Sequence, residues 1–110
     1  MYRAGWIILM VMGMLVASVL ADAAVQKSGG SVSIVNSSYQ PGTVSIKTGQ
    51  SVTWTNNDDR DHTVAGTDGS FSSGNLKPGQ TFTHRFTKAG TYSYGCKLHP
   101  RMRGSVTVTD

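Results

Sequence analysis

The stretch Tyr94 to Gly104 reads YGCKLHPRMRG and sets a thiol, an imidazole and a thioether at the spacing C-x-x-H-x-x-M: Cys96, His99 and Met102. A thiolate and a thioether are soft donors and an imidazole is borderline, a mixture that suits copper. His62 stands at one end of a separate β-patterned run and is the candidate fourth donor. Two imidazoles, one thiolate and a weak axial thioether make the trigonal arrangement used for one-electron transfer. A rigid compromise between the geometries of the two oxidation states leaves little to move when an electron arrives. A short loop on a stiff scaffold supplies that rigidity.

Each residue also has a plainer reading. A lone buried cysteine is usually a small hydrophobe, Met102 could fill core, and His99 could be an ordinary loop residue. Their joint spacing, directly after an alternating strand, outweighs those readings. Structural zinc is the weaker match, because methionine is a poor zinc ligand and the chain has no second cysteine. Asp58, Asp59 and Asp61 are most simply turn residues, short of the ligand pattern of a calcium loop. His84 shares its strand phase with Phe82 and Phe86 and reads as a packed ring rather than a ligand. Lys97, Arg101 and Arg103 read equally as a solvated loop or as docking charges.

The elements that must position these donors are β-strands. Valine, threonine and aromatic residues alternate with polar ones, and Gly, Asn, Asp and Pro clusters break the runs. Strands are predicted near Val32–Val35, Val44–Lys47, Ser51–Asn56, His62–Ala65, Thr81–Phe86, Thr91–Gly95 and Ser105–Thr109. Several short strands at regular spacing predict an all-β sandwich or barrel. Alternation turns Val52, Trp54 and Asn56 inward together, and likewise Tyr92, Tyr94 and Cys96. No helical period of useful length occurs.

The 110 residues suffice for one compact domain. The first part is of another kind: a basic Arg3, an apolar run from Trp6 to Leu20, then Ala21-Asp22-Ala23. That order predicts a signal peptide over residues 1–23. The alternative is an uncleaved anchor, because the uncharged run sits near the ~20 residues a membrane span needs. Residues 24–31, with KSGGS, read as a linker, and 32–110 as the folded domain. Four of the five methionines leave with the leader, so Met102 is the one methionine of the domain. The single cysteine rules out an intramolecular disulfide, and a lone thiol in an oxidising compartment needs burial or a ligand role. The net charge of +4 is dispersed and suits acidic partners rather than nucleic acid.

The segments VTWTNNDDRDHTV, LKPGQTFTHRFTKAGTYSYGC and HPRMRGSVTV resemble the small blue (type 1) copper proteins, the cupredoxins. Among their subfamilies the likeness is greatest to the amicyanins, with plastocyanins and pseudoazurins further off. The resemblance implies an eight-stranded Greek-key sandwich with one copper ion at its end. It implies that His62, Cys96 and His99 are equatorial ligands and Met102 the axial one. It also implies that Asn56, behind the ligands, ties the ligand loop to its strand and hydrogen-bonds near the cysteine sulfur. The ring of His99 would be the electron port, flanked by Leu98 and Pro100. Lys97 and Arg101 stand where more neutral or apolar residues are usual, which makes that port basic. An acidic cytochrome, dehydrogenase or reductase is the partner this suggests.

The expected function is therefore an exported, periplasmic one-electron carrier, monomeric and non-enzymatic, with membrane contact only if the leader stays as an anchor. A copper-trafficking or sequestering module is the alternative; it would favour exposed, exchangeable donors. Multicopper oxidases and copper nitrite reductases need additional histidines, and only His84 is left over.

Overall fold

A computed structural model describes residues 28–110. The expected signal peptide, its anchor alternative and the first part of the linker lie outside the described residues. Eight strands form two four-stranded sheets. They are β1 (Ser28–Val35), β2 (Ser38–Gln40), β3 (Thr43–Lys47), β4 (Ser51–Asn56), β5 (Ala65–Gly66), β6 (Thr81–Arg85), β7 (Gly90–Gly95) and β8 (Arg103–Thr109). One sheet has the order β2-β1-β4-β6 and the other β3-β8-β7-β5. The pairs β1/β4 and β3/β8 run parallel, and the remaining pairs run antiparallel.

The alternation in the sequence builds the layer between the sheets. Val52, Trp54 and Asn56 of β4 are all fully buried, and Val44, Ile46, Val106 and Val108 face them from the opposite sheet. Trp54 sits at the centre, edge-on to Tyr94 at 5.3 Å between ring centroids and stacked on Phe71 at 6.0 Å. Such aromatic contacts add to the area they bury. The inward phases expected for β4 and β7 are those observed.

Three features depart from the sequence reading. β1 begins at Ser28, inside the segment read as a flexible linker. The glycines there serve close approach, not flexibility: a Cβ on Gly30 would lie 2.6 Å from Val44, and one on Gly29 would lie 2.8 Å from Gln50. The short strand β2 is an addition. It follows a two-residue turn in which Asn36 and Ser37 take φ of 52° and 54°, the twist a tight hairpin needs. The strand expected over His62–Ala65 is reduced to a bridge at His62 and the two residues of β5. Residues 62–64 are held by irregular bonds instead. His62 exchanges backbone bonds with Leu76 (3.1 and 2.7 Å), and the Val64 N–H donates to Ser73 Oγ at 2.8 Å.

Candidate metal centre

Three chain segments meet at one pole of the sandwich: the end of β4 with the turn after it, the 62–64 segment, and the β7–β8 connection. That connection carries Cys96, His99 and Met102. It is pinned at its base by the β7/β8 register, which pairs Gly95 with Arg103. Two internal bonds close it: Cys96 N–H donates to the Met102 carbonyl at 3.3 Å, and Met102 N–H to the His99 carbonyl at 2.9 Å. Cys96 and Met102 are buried, and His99 is half-buried.

His62 arrives from far upstream and is wholly buried. One ligand atom each from His62, Cys96 and His99 lie within 4.8 Å of one another. Cys96 Sγ is 3.6 Å from His99 Nδ1, and the two histidine rings are 4.8 Å apart at their centroids. Among the described residues His84 is not part of this cluster; it stacks on Phe71 at 5.0 Å. Burial lowers the pKa of His84, as for a packed neutral ring.

The His62 ring nitrogens are in different situations. Nε2 is 2.8 Å from Asp58 Oδ2, whereas Nδ1 is buried with no hydrogen-bond partner. Leaving a buried ring nitrogen unpaired costs free energy that a fold seldom tolerates without a use. Beside a buried thiol and a second imidazole, that free lone pair is what a metal ion would occupy. The donor set fits a single copper ion, with His62, Cys96 and His99 as the cluster and Met102 beside them in the loop.

The surroundings of the sulfur differ from expectation. Asn56 is buried at the end of β4, but its amide donates to the carbonyls of Arg60 (2.9 Å) and Leu76 (2.8 Å), and its Oδ1 accepts the Asp58 N–H (3.0 Å). It therefore shapes the turn that delivers His62 and does not tie down the ligand loop. Thr63 does that. Its backbone N–H points at Cys96 Sγ over 3.4 Å, and its Oγ1 accepts the Lys97 N–H at 2.8 Å. Tyr39 fixes Thr63 in turn, donating its hydroxyl to the Thr63 carbonyl at 2.7 Å. Burial, followed by the charge of Cys96, raises the Tyr39 pKa far above its ordinary value, so the hydroxyl stays a donor.

Sequence reasoning missed Thr63 because strict alternation through His62–Ala65 would turn it to solvent. In the irregular segment it is buried together with both neighbours. It also assigned Asp58 only a turn role. The backbone N–H of Ser37, then the His62 ring, then the N–H of Asp59 hold the Asp58 carboxyl well below the usual range. Its position four residues before His62 was the one available signal.

Around the loop, Leu98 is the one exposed large hydrophobic side chain among the described residues, next to exposed Pro100. Lys97, Arg101 and Arg103 are exposed beside them. A groove of about 360 Å³ runs past Cys96 and Met102 with Lys97 and Arg103 on its walls.

Comparison with known proteins agrees with this geometry. A family profile described as a cupredoxin-like domain matches residues 6–108. Amicyanin of Paracoccus denitrificans is 36% identical over 97 residues, covering 84% of this chain and 70% of the relative. Amicyanin-alpha of Methylorubrum extorquens is 37% identical over 82 residues, covering 70% of this chain and 69% of the relative. A solved purple cupredoxin from Nitrosopumilus maritimus superposes with a TM-score of 0.68 at 32% identity, over 73% of this chain and 99% of that one.

Proposed function

The chain belongs to the cupredoxin-like family, and we propose that it is an exported one-electron carrier that meets its redox partners through the loop at residues 97–101. His62, Cys96, His99 and Met102 would hold one copper ion, which would supply a Cu(II)/Cu(I) couple for one-electron transfer. The protein is a carrier and not an enzyme. The observation that carries the reading is the buried, unpartnered Nδ1 on the His62 ring, which clusters with a buried thiol and a second imidazole.

The residues supply rigidity and access. Thr63 anchors both ends of Cys96, at the sulfur and at the following N–H, so the thiol side chain is set before metal arrives. The β7/β8 register fixes the two ends of the loop. A site preorganised in this way needs little rearrangement between oxidation states. His99 is the half-buried ligand, so its ring is the short route to the surface, and Leu98 and Pro100 give that route an apolar rim. Lys97, Arg101 and Arg103 favour an acidic partner and speed its approach at low salt. A trafficking module would need donors open to exchange, whereas Cys96 and Met102 are only 5% and 4% exposed.

The periplasm as the site of action is supported by the leader-like order of residues 1–23 and by the lone thiol, which is buried in the site.

Titrating Cu(II) into the metal-free protein while recording the visible spectrum tests the copper reading. One equivalent should give the intense blue of thiolate-to-copper charge transfer. A colourless protein that has nevertheless bound copper would reject the site. Slow copper loss to a chelator together with fast electron self-exchange separates the carrier from a trafficking module.

A further inference from the structure

The Asp58 carboxylate meets His62 at Nε2, with Oδ2 2.8 Å away, and leaves Nδ1 as the ring nitrogen without a hydrogen-bond partner. The imidazole is 0% exposed and the aspartate side chain 12%. This contact is therefore made largely out of water, where a charged hydrogen bond is strong. A carboxylate can only accept here, so in the neutral imidazole Nε2 carries the proton and Nδ1 keeps its lone pair.

Asp58 is itself held in place. Ser37 N–H donates to the same Oδ2 at 2.9 Å, Asp59 N–H donates to Oδ1 at 2.9 Å, and the Asp58 N–H is fixed by Asn56 Oδ1 at 3.0 Å. Ser37 belongs to the β1–β2 hairpin, so the carboxylate clamps His62 to a second chain segment. Among the described residues no lysine or arginine pairs with Asp58; Arg60 leans on the exposed Asp59 instead. The anionic charge thus acts on the imidazole without a competing cation.

On the reading that the site holds copper, we infer that Asp58 is a positioning residue that sets the reduction potential. It fixes the His62 tautomer and strengthens that ring as a donor. A more basic ligand backed by a negative charge stabilises the higher oxidation state of the metal more than the lower one. The potential is therefore lower than a neutral acceptor at the same place would give.

Two measurements test this. In the metal-free wild-type protein, the nitrogen-15 shifts of His62 should show the proton on Nε2; a proton on Nδ1 would overturn the inference, and no variant is needed to see it. In the copper-loaded protein, Asp58→Asn should keep the blue colour and raise the midpoint potential. Each tenfold loss of Cu(II) affinity relative to Cu(I) corresponds to a rise of about 59 mV for one electron. The control is Asp59→Asn, which removes the neighbouring exposed carboxylate and should shift the potential much less. An unchanged potential in Asp58→Asn, or an equal shift in both variants, would sink the idea. A wild-type protein that binds copper without turning blue would reject the copper reading instead and leave the tautomer result to stand on its own.

Discussion

The backbone N–H of Thr63 lies 3.4 Å from the sulfur of Cys96, across a sequence separation of 33 residues. The same threonine holds the next peptide through its hydroxyl oxygen, which accepts the Lys97 N–H at 2.8 Å. One residue thereby joins the segment that delivers His62 to the loop that delivers the other donors. A Thr63→Val variant keeps the shape and the N–H but loses the acceptor. Losing this part-buried hydrogen bond should cost about 1 kcal/mol, read from urea melts of the metal-free protein. Copper loss to a chelator should speed up as well. Thr63→Ser should restore both, and a valine variant as stable as wild type would remove Thr63 from this role.

Cys96 and His84 give a contrast in colour. Cys96→Ser removes the soft thiolate and should abolish the blue absorption on copper addition. His84→Gln should leave it intact, because His84 packs among Phe71, Phe82 and Phe86 and not in the donor cluster. The opposite pattern would mean that the wrong histidines have been chosen.

Stability should depend on pH through His84. Burial lowers its pKa, so the folded state favours the neutral ring. The contribution of this ring is complete above the ordinary histidine value of about 6.5 and is lost as pH falls toward the lowered one. His84→Gln should flatten the acid side of the stability curve of the metal-free protein, measured between about pH 8 and 5. Equal slopes in the two proteins would count against the assignment.

Gly30 tests where the fold begins. If residues up to 31 were a flexible linker, alanine there would be neutral. A methyl carbon at this position would lie only 2.6 Å from Val44 Cγ1, so Gly30→Ala overpacks the strand crossing and should cost about 1–3 kcal/mol. Thermal melts with and without the substitution decide between the two.

Docking charge should appear in rates. Reversing Lys97 and Arg101 to glutamate should slow electron transfer to an acidic partner at low ionic strength and bring wild type and variant together at high salt. The potential and the spectrum should stay as they were. An undiminished rate at low salt would remove these two residues from the docking surface.

The sequence by itself determined the donor types, the strand alternation and the register that turns Cys96 inward, because all three are local. A two-residue period sets which face Val52, Trp54 and Asn56 occupy, and spacings of three and six residues set how far along the chain His99 and Met102 lie from Cys96. The same local logic failed at Gly29 and Gly30, where composition suggests flexibility and the neighbouring Val44 and Ile46 demand a missing side chain. It failed again at 62–64, where bonding to Leu76 and Ser73 breaks the alternation. Only the tertiary structure decided that Thr63 and not Asn56 meets the sulfur, that Asp58 takes Nε2 of His62, and that Ser37 helps to hold it. Those contacts join segments far apart in the chain, and a hydrogen bond depends on angles and distances that no residue spacing fixes until the sheets have packed.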